Sequence, residues 1–240
     1  MDILYILGSG SKWDNNEIKY SLRSLEKHGQ NYDRIFITGE KPKFINNKII
    51  YNYQPDKYIG CINHLLKVLW TFQNTDISDD ILLNYDDNFF IKNVDISNYP
   101  SYYKREMLPD MFTISNRHTK SLLYTKNILL SLGKPIKDFA VHCPIIYNRQ
   151  KFYDFYEIFK KYIDINNKDF GLSVRIAYLN SLYIVGEYMP DCKIKRNITK
   201  KEIELVIKNR SIFSISNNIT KGGITEFLQD NFPNKSKWEL

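Results

Sequence analysis

The first ninety residues alternate between short apolar runs and longer segments in which apolar residues recur every three or four positions. The runs predict buried strands over residues 3–7, 34–38, 48–51 and 81–83. The longer segments predict one helix capped by Asn15 or Asn16 and a second helix opened by Pro55 and Asp56. Strands that alternate with helices favour an α/β fold with a mostly parallel central sheet flanked by helices.

The second half of the chain has a less regular pattern, which predicts a mixed arrangement of strands and helices. Strands are expected over residues 111–114, 139–142 and 183–185, and helices over residues 121–132 and 174–182. An aromatic stripe at helical spacing predicts one further core-facing helix and consists of Phe152, Phe155, Tyr156 and Phe159. No repeat or low-complexity linker divides the sequence, so we expect residues 1–240 to form a single domain.

Composition excludes several classes of protein. With 43% hydrophobic and 25% charged residues, the chain is of the globular kind rather than disordered, collagen-like or coiled-coil. No apolar run approaches the roughly 18 residues of a membrane span, and the opening residues do not form a secretion signal, so we expect a cytoplasmic protein. The cysteines Cys61, Cys143 and Cys192 are far apart and odd in number, which predicts neither a zinc site nor a disulfide framework.

Two loops follow predicted strands at the edge of the sheet where open α/β proteins bind ligands. The loop after the first strand consists of small residues, Gly8, Ser9, Gly10 and Ser11. It lacks the Gly-Lys-Ser/Thr ending of a P-loop and the third glycine of a dinucleotide fingerprint. It therefore predicts either a tight strand-to-helix turn or a place where backbone N–H groups approach a nucleotide.

The loop after the fourth predicted strand is acidic, with Asp86, Asp87 and Asn88 in succession. Carboxylates at the end of a buried strand need compensation, because an unpaired buried charge is costly. A divalent cation supplies it, since Mg²⁺ and similar ions prefer oxygen ligands and keep part of their shell for phosphate. The alternative is a solvated acidic turn. If the two strands are neighbours, the two loops lie close together.

The acidic loop and its surroundings resemble the sites of two groups of enzymes. Asp86, Asp87 and Asn88 after an apolar strand are similar to the DxD-type metal motif of GT-A nucleotide-sugar glycosyltransferases, with Asn88 in place of the usual second acid. Residues 5–13, 15–24 and 83–90 are similar to small phage and bacterial glycosyltransferase-like proteins.

The same segments also resemble the Stealth-type sugar-phosphate transferases of capsule synthesis. Residues 142–144, His-Cys-Pro, fit the His-x-Pro segment of that group. The Gly-Ser-Gly-Ser loop stands where that group has Asp-Gly, a difference that favours glycosyl transfer over phosphotransfer.

The resemblance implies a GT-A-like, Rossmann-like fold in which residues 1–90 bind a nucleotide sugar and residues 91–240 form the acceptor half and the C-terminal tail. It implies Mn²⁺ or Mg²⁺ as the cofactor. The metal ligands that it implies are Asp86, Asn88 and His142, and the catalytic residues are Asp87, His142 and Asp191. The residues that it places against the donor are Gly8, Ser9, Gly10, Ser11, Glu17, Arg23 and Lys193.

For several of these residues a structural role stays open. Glu17 and Arg23 lie on the first predicted helix and either reach the donor or form surface pairs. His142 either completes the metal or diphosphate site, or acts as a base on the acceptor, or is a structural histidine.

These expectations lead to three hypotheses for function. The first is a metal-dependent glycosyltransferase whose acceptor is a surface glycan precursor or a hydroxymethylated base of phage DNA, which would place the protein in the host cytoplasm. The net charge of +7 is compatible with DNA but equally with a solvated surface. The second is a Stealth-like sugar-1-phosphate transferase, and the third is a non-catalytic nucleic-acid-binding domain. The sequence assigns neither the sugar, the nucleotide nor the oligomeric state.

Overall fold

The computed structural model describes residues 1–107 and 116–240, so the predicted strand over residues 111–114 lies outside the described residues. The strands are β1 (Asp2–Leu7), β2 (Gly29–Gln30), β3 (Ile35–Gly39), β4 (Ile50–Tyr53), β5 (Asp80–Asn84), β6 (Asn88–Phe90), β7 (Val94–Asp95), β8 (Tyr102–Tyr103), β9 (Ile145–Asn148), β10 (Glu187–Tyr188), β11 (Lys193–Ile194) and β12 (Ile212–Ile215). The helices are α1 (Asn16–His28), α2 (Gly60–Asn74), α3 (Arg117–Ser131), α4 (Arg149–Phe159), α5 (Val174–Ser181), α6 (Lys200–Ile207) and α7 (Gly223–Asn231).

A five-stranded sheet with the strand order β4-β3-β1-β5-β9 forms the centre of the fold. The first four of these strands run parallel, and β9 is antiparallel to β5. The predicted mixed α/β fold with a mostly parallel sheet flanked by helices is therefore confirmed. The sheet grows in one direction from β1 to β3 and β4 and in the other direction to β5, so the strand order reverses beside β1.

The two faces of the sheet belong to different hydrophobic clusters, because successive side chains of a strand point to opposite faces. Leu4, Phe36 and Leu83 pack on the face covered by α2, α4 and α5. Tyr5 and Leu82 pack on the opposite face, together with the apolar side of α1. Burial on both faces explains why the strand sequences read as continuous apolar runs rather than as alternating ones.

A smaller sheet with the order β11-β12-β6 follows the central one, and β12 runs antiparallel to β6. It packs with α6 and α7 around a third cluster that includes Phe89, Phe213 and Phe227. The acidic loop joins β5 of the central sheet to β6 of the smaller sheet. Its carboxylates therefore lie where the two sheets meet.

The start of two predicted helices differs in detail from the sequence-based expectation. Asn15 does precede α1, but it has a φ of 58° and its side chain makes no capping hydrogen bond. The second helix begins at Gly60 rather than at Pro55, because the Asn63 side chain accepts hydrogen bonds from the backbone N–H groups of Lys57 and Tyr58. The segment before Gly60 is thereby held in a loop.

Two predicted strands are wrong. Residues 139–142 curl instead of pairing, since Val141 N–H donates to the carbonyl of Phe139 and Cys143 N–H donates to that of Val141. The strand comes after Pro144, as β9. Residues 183–185 follow the end of α5 without pairing, with Tyr183 at a φ of 55°, and pairing begins with β10.

The predicted aromatic helix is confirmed as α4, whose buried side chains are Phe152, Phe155 and Phe159. The predicted helix over residues 174–182 is confirmed as α5. None of the described helices combines the length and the apolar character that crossing a bilayer requires.

Candidate functional site

The loops after β1 and β5 lie side by side, because β1 and β5 are neighbours and run parallel. Tyr5 pairs with Asn84 in the sheet, so both strands end at the same edge. The strand order reverses at this place, which is where open α/β sheets form a ligand-binding crevice. The expected proximity of the two loops is therefore confirmed.

A cleft of about 300 Å³ opens beside the acidic loop. The residues that line it come from both halves of the chain: Tyr85, Asp86, Asp87, His118, Ala140, Val141, His142, Ser173, Arg175 and Lys193. Four of the predicted site residues, Asp86, Asp87, His142 and Lys193, thus share one concave surface.

Asp86 is a carboxylate without a cationic partner in the described parts of the chain. Its hydrogen-bond partners are the backbone N–H groups of Asp86 and Asp87. Burial first, and then the negative charges of Asp87 and Glu17, raise the pKa of Asp86 to about 7. A cation bound at this carboxylate would relieve both the desolvation and the repulsion.

Asp87 differs from Asp86 because a lysine neutralises it. Lys193 Nζ lies 3.2 Å from Asp87 Oδ2, and both side chains are mostly buried. Lys193 begins β11, which reaches the acidic loop through β12. The predicted donor residue Lys193 therefore stands directly beside the predicted catalytic residue Asp87.

His142 and Asp191 form a hydrogen-bonded pair at the rim of the cleft. His142 Nδ1 lies 2.9 Å from Asp191 Oδ1, which also accepts the backbone N–H of His142 at 3.3 Å. Burial by itself raises the pKa of Asp191, but the hydrogen bond and charge of His142, together with Lys195, hold it below its usual range. Because Asp191 engages Nδ1, Nε2 is the ring nitrogen that is left for a ligand.

Arg175 of α5 holds the segment that carries His142 in place. This guanidinium is buried, donates to the backbone carbonyls of Val141 and Cys143, and lies with Cζ 5.3 Å from the centre of the Tyr85 ring. Sequence reasoning missed Arg175, because nothing in its pattern distinguishes it from the other residues of α5.

His118 is the second histidine of the cleft and was also missed. Burial, with the nearby positive charges of Lys104 and His142, lowers its pKa. It stands near the start of α3, far from His142 in the sequence, so no local spacing could have paired the two.

The loop after β1 is supported by an ion pair between a buried lysine and a more exposed carboxylate. Lys67 Nζ donates to Asp56 Oδ1 at 2.6 Å and to the carbonyl of Leu7 at 2.7 Å. Asp56 Oδ2 accepts the N–H of Ser9 at 3.2 Å. A Cβ at Gly8 would lie 2.8 Å from the same oxygen, so a larger residue there would push the Asp56 carboxylate away from the loop. Gly10 has open space around it.

Ser11 connects this loop to α1. Its hydroxyl donates to Glu17 Oε2 at 2.9 Å and accepts the backbone N–H of Asn15 at 2.8 Å. Glu17 is buried rather than on the surface, and its charge acts on Asp86. The first helix thus contributes a carboxylate next to the acidic loop.

Eight of the predicted site residues do not line the cleft, and two of these, Arg23 and Asn88, have their side chains engaged elsewhere. Arg23 forms a two-pronged ion pair with Glu239, each N–O distance being 2.7 Å, and also donates to the carbonyl of Phe232. Asn88 is fully buried, and its Nδ2 donates to Asn84 Oδ1 at 3.3 Å. Its own Oδ1 has no hydrogen-bond partner in the described structure.

The donor set fits one kind of metal site and not another. Within residues 1–107 and 116–240, no group of three or more His, Cys, Asp or Glu side chains is arranged to enclose a metal ion. Mg²⁺, however, commonly binds through one or two carboxylates and takes its other ligands from water and phosphates. The uncompensated carboxylate of Asp86, with Asp87 beside it, fits a Mg²⁺ site of this open kind, in which water and phosphate supply the remaining ligands.

No protein-family model matches the chain, and no curated protein is significantly similar to it. The geometry of the cleft therefore carries the functional argument.

Proposed function

We propose that the protein is a metal-dependent glycosyltransferase that moves a sugar from a nucleoside diphosphate to an acceptor hydroxyl. One observation carries the proposal: Asp86 faces the cleft at the strand-order reversal without a cationic partner in the described structure, next to Asp87 and Glu17. A carboxylate so placed is suited to a cation that a diphosphate also ligates. The resemblance of the acidic loop to the GT-A metal motif points the same way.

The chain's own residues divide the work of holding such a donor. Asp86 would hold Mg²⁺ or Mn²⁺, which supplies positive charge against the negative charge that develops on the departing diphosphate. Lys193 adds a second positive charge beside Asp87. The loop of Gly8 and Ser9, braced by Asp56, presents backbone to the nucleotide.

The pair of His142 and Asp191 supplies a base. Asp191 holds Nδ1 of His142, so Nε2 accepts the proton of the acceptor hydroxyl. As this proton leaves, the hydroxyl oxygen of the acceptor bonds to the anomeric carbon of the sugar. The bond between that carbon and the diphosphate oxygen breaks, and the diphosphate leaves with the electron pair. Asp191 stabilises the imidazolium that results.

A thermal-shift experiment tests the donor site. We expect the melting temperature of the protein to rise with a nucleoside diphosphate and Mn²⁺ together, corresponding to about 3 kcal/mol at a hundredfold excess over Kd. Asp86→Asn should abolish this joint shift. Asp154→Asn, an exposed carboxylate on α4, is the matched control and should keep it. Absence of a joint shift with every nucleobase, or its survival in Asp86→Asn, contradicts the proposal.

Transfer of a sugar phosphate is the second candidate, and the histidine pair is equally suited to it. A histidine whose Nδ1 is held by a carboxylate presents Nε2 as a nucleophile or base for phosphoryl chemistry as readily as for glycosyl transfer. Product mass separates the two reactions, because phosphotransfer leaves a phosphate in the new linkage. A product with the mass of the sugar alone added supports glycosyl transfer.

A further inference from the structure

A second groove, of about 370 Å³, adjoins the cleft and shares one lining residue with it, Lys193. Asp191 also lines the groove and hydrogen-bonds to His142 of the cleft. Its lining carries four cationic side chains, Lys193, Lys195, Arg196 and Arg210, against two carboxylates. Both carboxylates are already engaged within the described structure. Asp191 binds His142 and Lys195, and Glu202 accepts two hydrogen bonds from Thr199. Lys193 is itself paired with Asp87 and Lys195 with Asp191, so the excess of positive charge in the groove comes from Arg196 and Arg210 against Glu202.

The groove also has an apolar wall, formed by α6. This helix turns Ile203 and Ile207 into the core, yet Leu205 is 73% exposed and Val206 is 47% exposed. Leu205 and Val206 both line the groove. Exposed apolar residues beside a site that binds ligands are typical of a surface that a partner covers.

Lysines surround this apolar wall on the helix surface. Lys201 and Lys208 stand four positions before and three positions after Leu205, which places all three on one face of α6 and its end. Both lysines are exposed. Apolar side chains flanked by lysines on a short helix suit an amphiphile with a negative head group.

We propose that this groove binds the acceptor, and that the acceptor is an anionic amphiphile: a molecule with an apolar chain, a phosphate and the reacting hydroxyl. The phosphate lies against Arg196 and Lys195, and the apolar chain lies along Leu205 and Val206. The proposal rests on the proposed function, because it places the acceptor on the Asp191 side of the cleft. A single ligand of this kind accounts for both the positive charge of the groove and its exposed apolar wall.

A nucleic acid would explain the cationic lining of the groove but not its exposed apolar wall. Its phosphates would meet the cations, but Leu205 and Val206 would gain nothing from a charged backbone. An amphiphile uses both surfaces. The charge complementarity and the continuity of the groove with the cleft therefore favour the amphiphile.

Calorimetric titration with geranyl phosphate tests the groove directly. We expect geranyl phosphate to bind at least about tenfold more tightly than either inorganic phosphate or geraniol, because it alone engages both surfaces. Leu205→Ser should weaken its binding by about tenfold. Arg196→Gln should weaken it severalfold. Both residues are exposed, so the fold should survive both changes.

Matched controls lie outside the groove. Val185→Ser removes an apolar side chain that is 77% exposed, and Lys161→Gln removes an exposed charge. Neither should change the binding of geranyl phosphate. Equal binding by Leu205→Ser and wild type, or no binding by wild type, overturns the proposal. Displacement of geranyl phosphate by duplex DNA at equal charge concentration also overturns it, in favour of a nucleic-acid site.

The same titration distinguishes failure of the groove from failure of the donor site. Asp86→Asn should lose the joint shift with nucleotide and Mn²⁺ but bind geranyl phosphate as wild type does. Loss of nucleotide binding alone contradicts the proposed function, whereas loss of geranyl phosphate binding alone contradicts the acceptor groove.

Discussion

Lys67 and Asp56 form an ion pair beneath the loop that follows β1, with Lys67 Nζ 2.6 Å from Asp56 Oδ1. The lysine side chain is 4% exposed and reaches the carbonyl of Leu7 as well. The carboxylate in turn accepts the N–H of Ser9. This ion pair thus holds the end of β1 and the start of the loop in place, and it would position the loop for a ligand that binds there.

Replacing Lys67 with methionine tests this support. We expect the free energy of unfolding to fall by about 1 to 2 kcal/mol, because the carbonyl of Leu7 loses a buried donor and the more exposed carboxylate of Asp56 loses its cation. Urea unfolding measures the loss. Lys57→Met, at an exposed lysine next to Asp56 in the segment before α2, is the control and should change stability little. Equal stability of the two variants would show that the pair does not support the loop.

Gly39, at the end of β3, permits a close approach to β1. Its φ is +135°, and a Cβ there would lie 1.9 Å from the carbonyl oxygen of Leu7. We expect Gly39→Ala to destabilise the fold by about 3 kcal/mol or more, because the backbone must shift. Gly60→Ala is the contrast, since a Cβ at Gly60 meets nothing within 4 Å at the start of α2. That change should stabilise the fold by about 0.5 kcal/mol in thermal unfolding.

The raised pKa of Asp86, about 7, predicts how stability depends on pH. Between the unfolded pKa near ~4 and pH 7, the folded state holds a proton that the unfolded state has lost, so this group lowers stability as pH rises. Asp86→Asn removes that cost. Discounted for the partial exposure of the side chain, the gain is about 2 kcal/mol above pH 7 and none below pH ~4.

Unfolding in EDTA, across pH 4 to 8, measures this difference. Asp154→Asn should show no comparable trend, because Asp154 is exposed. A stability gain in Asp86→Asn that does not grow with pH would mean that the charge on Asp86 is compensated in the folded protein.

Asp191 fixes which nitrogen of His142 carries the proton. In the wild type we expect Nδ1–H, with the lone pair on Nε2, because the carboxylate lies 2.9 Å from Nδ1. Proton-nitrogen correlation spectra of the histidine rings report the tautomer. Asp191→Asn should mix the tautomers and lower turnover by about 10²-fold or more with little change in KM. An unchanged tautomer in the variant contradicts the assigned role.

Arg23 provides a test of a sequence-based prediction that the geometry does not favour. Its guanidinium pairs with Glu239, and both side chains are almost completely buried. We expect Arg23→Gln to destabilise the protein by about 3 kcal/mol, because Glu239 loses its partner. At a temperature where the variant is folded, its affinity for nucleoside diphosphate should equal that of the wild type. A specific loss of nucleotide affinity would restore Arg23 to the donor site.

Much of the central sheet was predictable because its strands are apolar on both faces. Ile3, Leu4 and Leu83 are buried and belong to continuous apolar runs, which can be recognised in the sequence without knowing what packs against them. Residues 139–142 carry the same kind of run, yet the chain there hydrogen-bonds to itself and leaves Arg175 to bind its carbonyls. A local pattern does not distinguish the two cases, since both bury their side chains.

The sequence by itself determined the parallel sheet and put a glycine-rich loop and an acidic loop at the ends of two strands. Apolar periodicity and turn residues are local properties, and they suffice for that much. Tertiary structure decided the partners: Lys193 beside Asp87, Asp191 beside His142, and Glu239 on Arg23. These pairs join residues between 49 and 216 positions apart, and their charges act through space rather than along the chain. Which carboxylates are neutralised, and which, like Asp86 in the described part of the chain, lie without a counter-charge, is therefore a property of the folded molecule alone.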